Sequence, residues 1–400
     1  NFRLFGGMTT TTSPTTLETA QSFLRTQAAR IEIDPLTNSV FALAQTLFRD
    51  LETGKAKLAD LSKLADEVHL DLIEERADRF RTQHAGGKAK HAWASLTDEL
   101  ETLAAQGFDV FKARVEQATG GIVFTGHPTF ALSKDLRTAL ADHVVSATKT
   151  SRNMLMRQIR ADSRAWNQQI SLQGEHDEVQ GAIAHAANAQ LAYATVLISF
   201  SRKAFPDEWR SLKIFVPTLA CWVGYDLDGR ADIHWSQSLT FRLTEKAVQL
   251  DRYATQLESI SGSQKIGPIA KLTQRLKTAS EDTARHAALF AADLTDPDNL
   301  VPAANALTEH SKRNVLDASE ILDVLDSVIP EAEDSLAADL MAVRAQVEAL
   351  QLGTARIHLR VNAAQVRTVI NRDLGLQTED RELGRLALAE LAQKARKSKP

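Results

Sequence analysis

The sequence predicts a mostly α protein with a few strands, and three observations carry that expectation. Long stretches repeat apolar residues at steps of three and four, the spacing of one face of an α-helix. Only three runs combine β-favouring composition with the shortness of a strand. The length of 400 residues, at 44 % hydrophobic and 24 % charged, is enough for a substantial core in one large domain or two smaller ones.

The chain opens with "NFRLFGGM", which lacks the basic, apolar and cleavage-site order of a signal peptide, and Met8 is a candidate natural start. "TTTTSPTT", residues 9–16, is polar and proline-interrupted. Residues 1–16 are therefore expected to be a disordered lead-in or a cloning remnant, and 17–400 one helix-rich domain. From about Leu17 to Lys112 the pattern is helical, broken at "EIDPLTN" and "HAGGKAKHA" by proline and paired glycines. His84 and His91 flank those glycines, but no carboxylate or cysteine stands near them at metal-ligand spacing.

The first strand is expected at Ile122 to Thr125, and Gly126-His127-Pro128-Thr129 ends it. Pro128 disfavours the α region for His127 and removes a backbone donor, so the imidazole is held on a restricted segment just past a strand. Amphipathic helices follow from Leu136 to about Phe205. The second strand is expected at Leu219 to Tyr225, and Asp226-Leu227-Asp228-Gly229 forms a tight turn presenting two carboxylates at its end. The other ligands of a calcium loop are missing there. A helix from Leu239 to Ile260 comes next, with loop signals at "SISGSQKIGP" and "LTDPDNLVP". Leu336, Leu340, Val343, Val347 and Leu350 form one helical face, and Gly353 is placed to terminate that helix. In the third strand, Arg356 to Asn362, Ile357, Leu359 and Val361 alternate with Arg356, His358 and Arg360. If buried, that basic face requires an anionic partner, whereas in solvent it requires none.

The net charge of −4 sets up no global basic field, so neither nucleic acid nor an anionic membrane surface is an expected partner. The single cysteine, Cys221, excludes an intrachain disulfide and fits a reducing cytoplasm. The longest apolar stretch, Ile214 to Gly224, is well short of the roughly 20 residues of a spanning helix.

Taken in order, "FTGHPT", "VGYDLDG" and "LGTARIHLRVNAAQ" resemble the phosphoenolpyruvate carboxylase family, which carries T-A-H-P-T-E, then G-G-D-R-D-G-N-P, then F-G-x-x-x-x-x-L-D-I-R-Q-E. The helical stretches "HWSQSLTFRLTEKAVQLDRYATQLESI" and "NRDLGLQTEDRELGRLALAELAQ" are similar to that family as well. The resemblance implies a few parallel strands in a helix-rich, partial α/β barrel of the TIM type. It implies Mg²⁺-dependent addition of bicarbonate to phosphoenolpyruvate, giving oxaloacetate and phosphate. His127 matches the histidine that handles bicarbonate or carboxyphosphate, and a neutral imidazole suits that proton chemistry. Asp226 and Asp228, with Thr129, match the residues that organise the site. The implied partners are these small substrates and either identical subunits or a chain carrying the family's second half.

The departures are specific. Leu227 stands where the family has its phosphate-gripping arginine, and leucine supplies no charge-assisted donor. Phe130 replaces a glutamate, Arg360 an aspartate, Asn362 an arginine, and Ala364 the glutamate that helps to bind Mg²⁺. The family's second half, with its remaining metal ligand, lysine and glycine- and arginine-rich loop, has no counterpart within these 400 residues. Two expectations therefore stand: the amino-terminal portion of a divergent carboxylase, or a non-catalytic scaffold that keeps the fold. Arg356, His358 and Arg360 either rebuild a substrate-anion site or form a solvated edge.

Overall fold

The computed structural model describes residues 13–84, 88–126, 133–146, 148–162, 171–227, 230, 232–308, 313–358, 363–364 and 367–368. The first helices are α1 (Leu17–Ala28), α2 (Ser39–Glu52), α3 (Leu58–His84), α4 (Lys88–Ala104) and α5 (Phe108–Val115). Strand β1 (Gly121–Phe124) precedes α6 (Lys134–Ser146), α7 (Lys149–Asp162) and α8 (Leu172–Ala204). Strand β2 (Thr218–Cys221) precedes α9 (Trp235–Ser259), α10 (Gly267–Ala291), α11 (Pro297–Thr308), α12 (Ser319–Val328) and α13 (Asp334–Leu350), and β3 (Arg356–Ile357) comes last. No helix among the described residues is long and apolar enough to cross a membrane.

The chain forms two compact units, residues 1–95 with 131–169, and residues 96–130 with 170–400. In the first unit, Ile73 and Ala77 of α3 pack with Leu136 and Ala139 of α6 and Leu155 of α7. The Thr16 hydroxyl caps α1 and is reciprocated by Thr19, and Asn38 caps α2 through the Phe41 amide. Residues 1–12 of the expected lead-in lie outside the described residues. Its last four include the Thr16 cap and Ser13, whose hydroxyl donates to Asp50.

The second unit is built around a long core. The α9 and α10 helices are joined by a short turn and pack as a hairpin, with Tyr253, Leu257, Leu272 and Leu276 buried. In α13 the residues Leu340, Val343, Val347 and Leu350 are buried, as their spacing predicts. The three strands form one parallel sheet in the order β1-β2-β3. Gly121 pairs with Thr218 and Phe124 with Cys221, while Ala220 pairs with Arg356 and Cys221 with Ile357. Parallel neighbours need crossover connections, which the intervening helices supply. Central β2 is buried at Leu219 and Cys221, whereas edge strand β1 leaves Ile122 and Val123 about half exposed.

Three expectations need correction. The second strand ends at Cys221 rather than Tyr225, because Gly224 takes φ +90° and the Tyr225 amide donates to the Trp222 carbonyl, turning the chain. "LTDPDNLVP" is only partly loop. Asp296 accepts the Asp298 amide and Pro297 occupies the first helical position, where a missing N–H is harmless, so α11 starts there. Gly353 does not terminate α13. Gln351 does so, at φ +59°, and Gly353 instead gives the Arg242 guanidinium room against the backbone, in space that a Cβ would occupy. Of the third strand, Arg356–Ile357 is formed, and residues 359–362 lie outside the described residues.

Gln351 holds a backbone conformation that L side chains adopt at a cost of about 1 kcal/mol or more. Gln351→Gly is expected to stabilise the second unit by about 1 kcal/mol, read as a higher urea midpoint with unchanged slope.

Candidate functional site

The site grows from the turn that leaves β2. Gly224 allows the Phe241 ring of α9 to lie against the chain where a Cβ would stand, and the Ser238 hydroxyl donates to the Gly224 carbonyl at 2.6 Å. Tyr225 then points its phenol inward, donating at 2.8 Å to Glu245 Oε1. Glu245 is 3 % exposed. Its Oε1 also accepts from Gln180 Nε2 at 3.1 Å and meets His176 Nε2 at 3.0 Å, and Arg242 reaches Oε2 at 3.2 Å. A buried carboxylate is tolerated when donors surround it in this way, because they replace the water it has lost. Since an ionised carboxylate only accepts, the network assigns the proton to His176 Nε2.

The His176 ring is stacked on Phe241 with centroids 4.0 Å apart and planes 5° from parallel, and its Nδ1 lies 3.8 Å from the Asp177 carboxylate. The Thr354 hydroxyl donates to Gln180 Oε1 at 2.7 Å. One polar cluster thus ties α8, α9, the exit of β2 and the approach to β3. Burial and the neighbouring Glu245 charge push the Tyr225 phenol far above its ordinary range. Burial likewise pushes the Cys221 thiol up to about 11.

Beyond this cluster, the Arg230 guanidinium bonds Glu175 at 2.5 Å and Asp232 at 2.6 Å. The hydrogen bond from Arg230 holds the Asp232 carboxyl below its ordinary value. Gly126, the last described residue of the first strand's exit, lies beside Glu175 and Val223. The residue preceding His127 is therefore close to the first turn of α8 and to the exit of β2.

Among the expected site residues, His127, Thr129, Asp228 and Arg360 lie outside the described residues, as do the side chains of His84 and His91. Asp226 follows Tyr225 past the end of β2 and is partly buried. Arg356 pairs with Ala220 near the carboxyl end of β2, but its side chain borders residues that precede and open that strand. It is exposed, it donates to the Ala349 carbonyl at 3.2 Å, and it lines a hollow of about 190 Å³ with Glu116, Lys213 and Thr218. His358 is exposed, and its amide donates to the Cys221 carbonyl. Ile357 packs inward with Tyr225, Phe241 and Leu227. Leu227, where the resembling family carries an arginine, thus packs against an apolar cluster.

The sequence reading overlooked His176, Gln180, Arg242 and Glu245. A signal existed: Glu245 follows Phe241 by four positions on the buried face of α9, and His176 precedes Val179 and Ile183 on that of α8. Charged or imidazole groups on such stripes need partners when buried. Among the described residues no group of three or more His, Cys, Asp or Glu side chains is placed to hold a metal ion. Ala364 has no ligand atom, so it cannot supply the Mg²⁺ ligand that the resemblance implies at that position. No protein-family model matches the chain, and no curated protein matches its sequence.

Removing the hub should orphan four donors at once. Glu245→Ala is expected to lower the unfolding free energy by about 3–5 kcal/mol, and Tyr225→Phe by about 1–2 kcal/mol, in urea denaturation. The Cys221 thiol, raised from 9.0 to about 11, binds its proton more tightly folded than unfolded, so its contribution is present below pH 9 and is lost as pH rises towards 11. At pH 8 the native thiol should react far more slowly with a disulfide reagent than the urea-unfolded chain.

Proposed function

We propose that the chain is a phosphoenolpyruvate carboxylase-like protein, corresponding to the amino-terminal portion of that family's helix-wrapped α/β barrel. In this reading the complete protein adds bicarbonate to phosphoenolpyruvate, yielding oxaloacetate and phosphate, in the cytoplasm. The observation that supports it most is the sheet. The strands that lead into the first two segments of the resemblance, and the short strand inside the third, pair as adjacent parallel neighbours in chain order. In folds with parallel sheets, sites gather at the carboxyl ends of the strands. The His127 motif follows β1 and the Asp226–Asp228 motif follows its neighbour β2.

His127 then takes the proton of the attacking bicarbonate or braces the anion formed as the phosphoryl group moves. Asp226, Asp228 and Thr129 hold the loops, and Arg356, His358 and Arg360 supply cations for the substrate. Both Arg356 and His358 are exposed, so that role belongs to an assembly in which identical subunits or a chain with the family's second half cover this edge. The half-exposed Ile122 and Val123 of β1 are consistent with such a partner.

A second reading, a non-catalytic scaffold that retains this fold, is favoured by Leu227, which packs with Tyr225 and Phe241. A donor to a phosphate is absent at that position.

The purified 400-residue chain, given phosphoenolpyruvate, bicarbonate and Mg²⁺, is expected to form no detectable oxaloacetate in a coupled reduction assay. Loss of one stabilising donor typically costs on the order of a hundredfold, and several are replaced here. Turnover by the chain alone, abolished in His127→Asn, would overturn that expectation and reject the scaffold reading. Adding a chain that carries the family's second half should restore turnover under the carboxylase reading, and failure to do so favours the scaffold.

A further inference from the structure

Helices α8 and α9 border a groove of about 290 Å³ whose lining includes Gln180, Ala184, Thr244, Val248 and Arg252. Most cations near it are accounted for, since Arg242 is bound to Glu245 and to the Ala355 carbonyl. Arg252 differs. It is half-buried, and among the described residues no carboxylate pairs with it and no hydrogen-bond acceptor is assigned to its guanidinium. Its own helix offers no counter-ion: the positions three and four away are Gln249, Val248, Thr255 and Gln256, and adjacent Asp251 points elsewhere on the helix. Burial without a partner holds the guanidinium below its ordinary value, with desolvation as the cause.

We propose that this groove is a binding site for a short-chain organic monocarboxylate, whose carboxylate pairs with Arg252 and whose hydrocarbon tail lies along Val248 and Ala184. Partial burial has stripped water from the guanidinium and left a charge that an incoming oxyanion offsets, and the planar fork suits a carboxylate. The charge balance selects a monoanion. One unpaired cation faces a groove whose lining also contains the Asp177 and Glu245 carboxylates, which disfavour a second negative charge. The wall one helical turn from the guanidinium is aliphatic, with Val248 50 % exposed and free of any packing role that would forbid contact with a tail. The groove shares His176, Gln180, Glu245 and Thr354 with the polar cluster at the strand exits, but the binding groups proposed for it, Arg252, Val248 and Ala184, are none of the residues that the carboxylase reading uses, so the proposal stands whether or not that reading holds.

The test is calorimetric titration of the full chain with sodium butyrate, with sodium chloride, butanol and inorganic phosphate as comparison titrants. Butyrate is expected to bind with a Kd on the order of 1 mM, more tightly than any of the other three. Arg252→Gln should weaken it by about tenfold or more, the worth of one charge-assisted bond. Val248→Glu places a carboxylate four residues before Arg252, the favourable orientation for a helical ion pair. It should abolish butyrate binding while leaving the Tm unchanged or about 1 °C higher. Absence of butyrate binding up to about 50 mM, or equal affinity in Arg252→Gln, would overturn the site. Tighter binding of phosphate than of butyrate would overturn the monocarboxylate assignment.

Discussion

The second unit depends on one buried charge. Glu245 cannot be left without donors at 3 % exposure, and its donors come from three separate parts of the chain: His176 and Gln180 on α8, Arg242 on α9, and Tyr225 past β2. Each donor position constrains the element that carries it. Tyr225 reaches the carboxylate only because the chain turns at Gly224, and Gly224 makes room for the Phe241 ring that stacks on His176. Arg242 reaches Oε2 from against the backbone of Gly353, which links the hub to the entry of β3. A polar cluster of this kind contributes little net stability over an apolar one, but it defines a single arrangement because any misplacement leaves a charge unpaired.

That arrangement sets where chemistry can occur. The hub fixes the path of the chain between Cys221 and Asp226, and the Arg230 pairs with Glu175 and Asp232 hold the loop beyond it. Gly126 lies beside the same Glu175. The exits of β1 and β2 are thereby tied to a common neighbour, which is the framework that the carboxylase reading needs. Under that reading, Leu227 and Ala364 are positions where the side chains depart from those of the resembling family.

The periodic parts of the fold were legible. Leu340, Val343, Val347 and Leu350 lie on one buried face as their spacing requires, and the strand runs begun by Ile122, Leu219 and Arg356 all contribute to the sheet. Alternation in the third strand was legible at Arg356, Ile357 and His358, where the apolar residue alone packs inward. Punctuation was less so. Pro297 reads as a loop until the Asp296 cap shows it to be a helix start, and Gly353 reads as a helix stop although Gln351 carries the positive φ. The hub was not legible at all as a unit, because His176 and Glu245 are 69 positions apart and Thr354 bonds across 174. Neither local propensity nor a motif records a contact of that range.

The most direct measurement of the hub's role is native-state amide hydrogen exchange on the wild-type chain and on Glu245→Gln, which keeps the volume and removes the charge. If the buried carboxylate organises the strand exit, protection should fall selectively at residues 218–225 and in the first turns of α8 and α9, while α3 and α6 of the first unit stay unchanged. Equal protection in both proteins at residues 218–225, or a uniform loss in both units, would contradict the account.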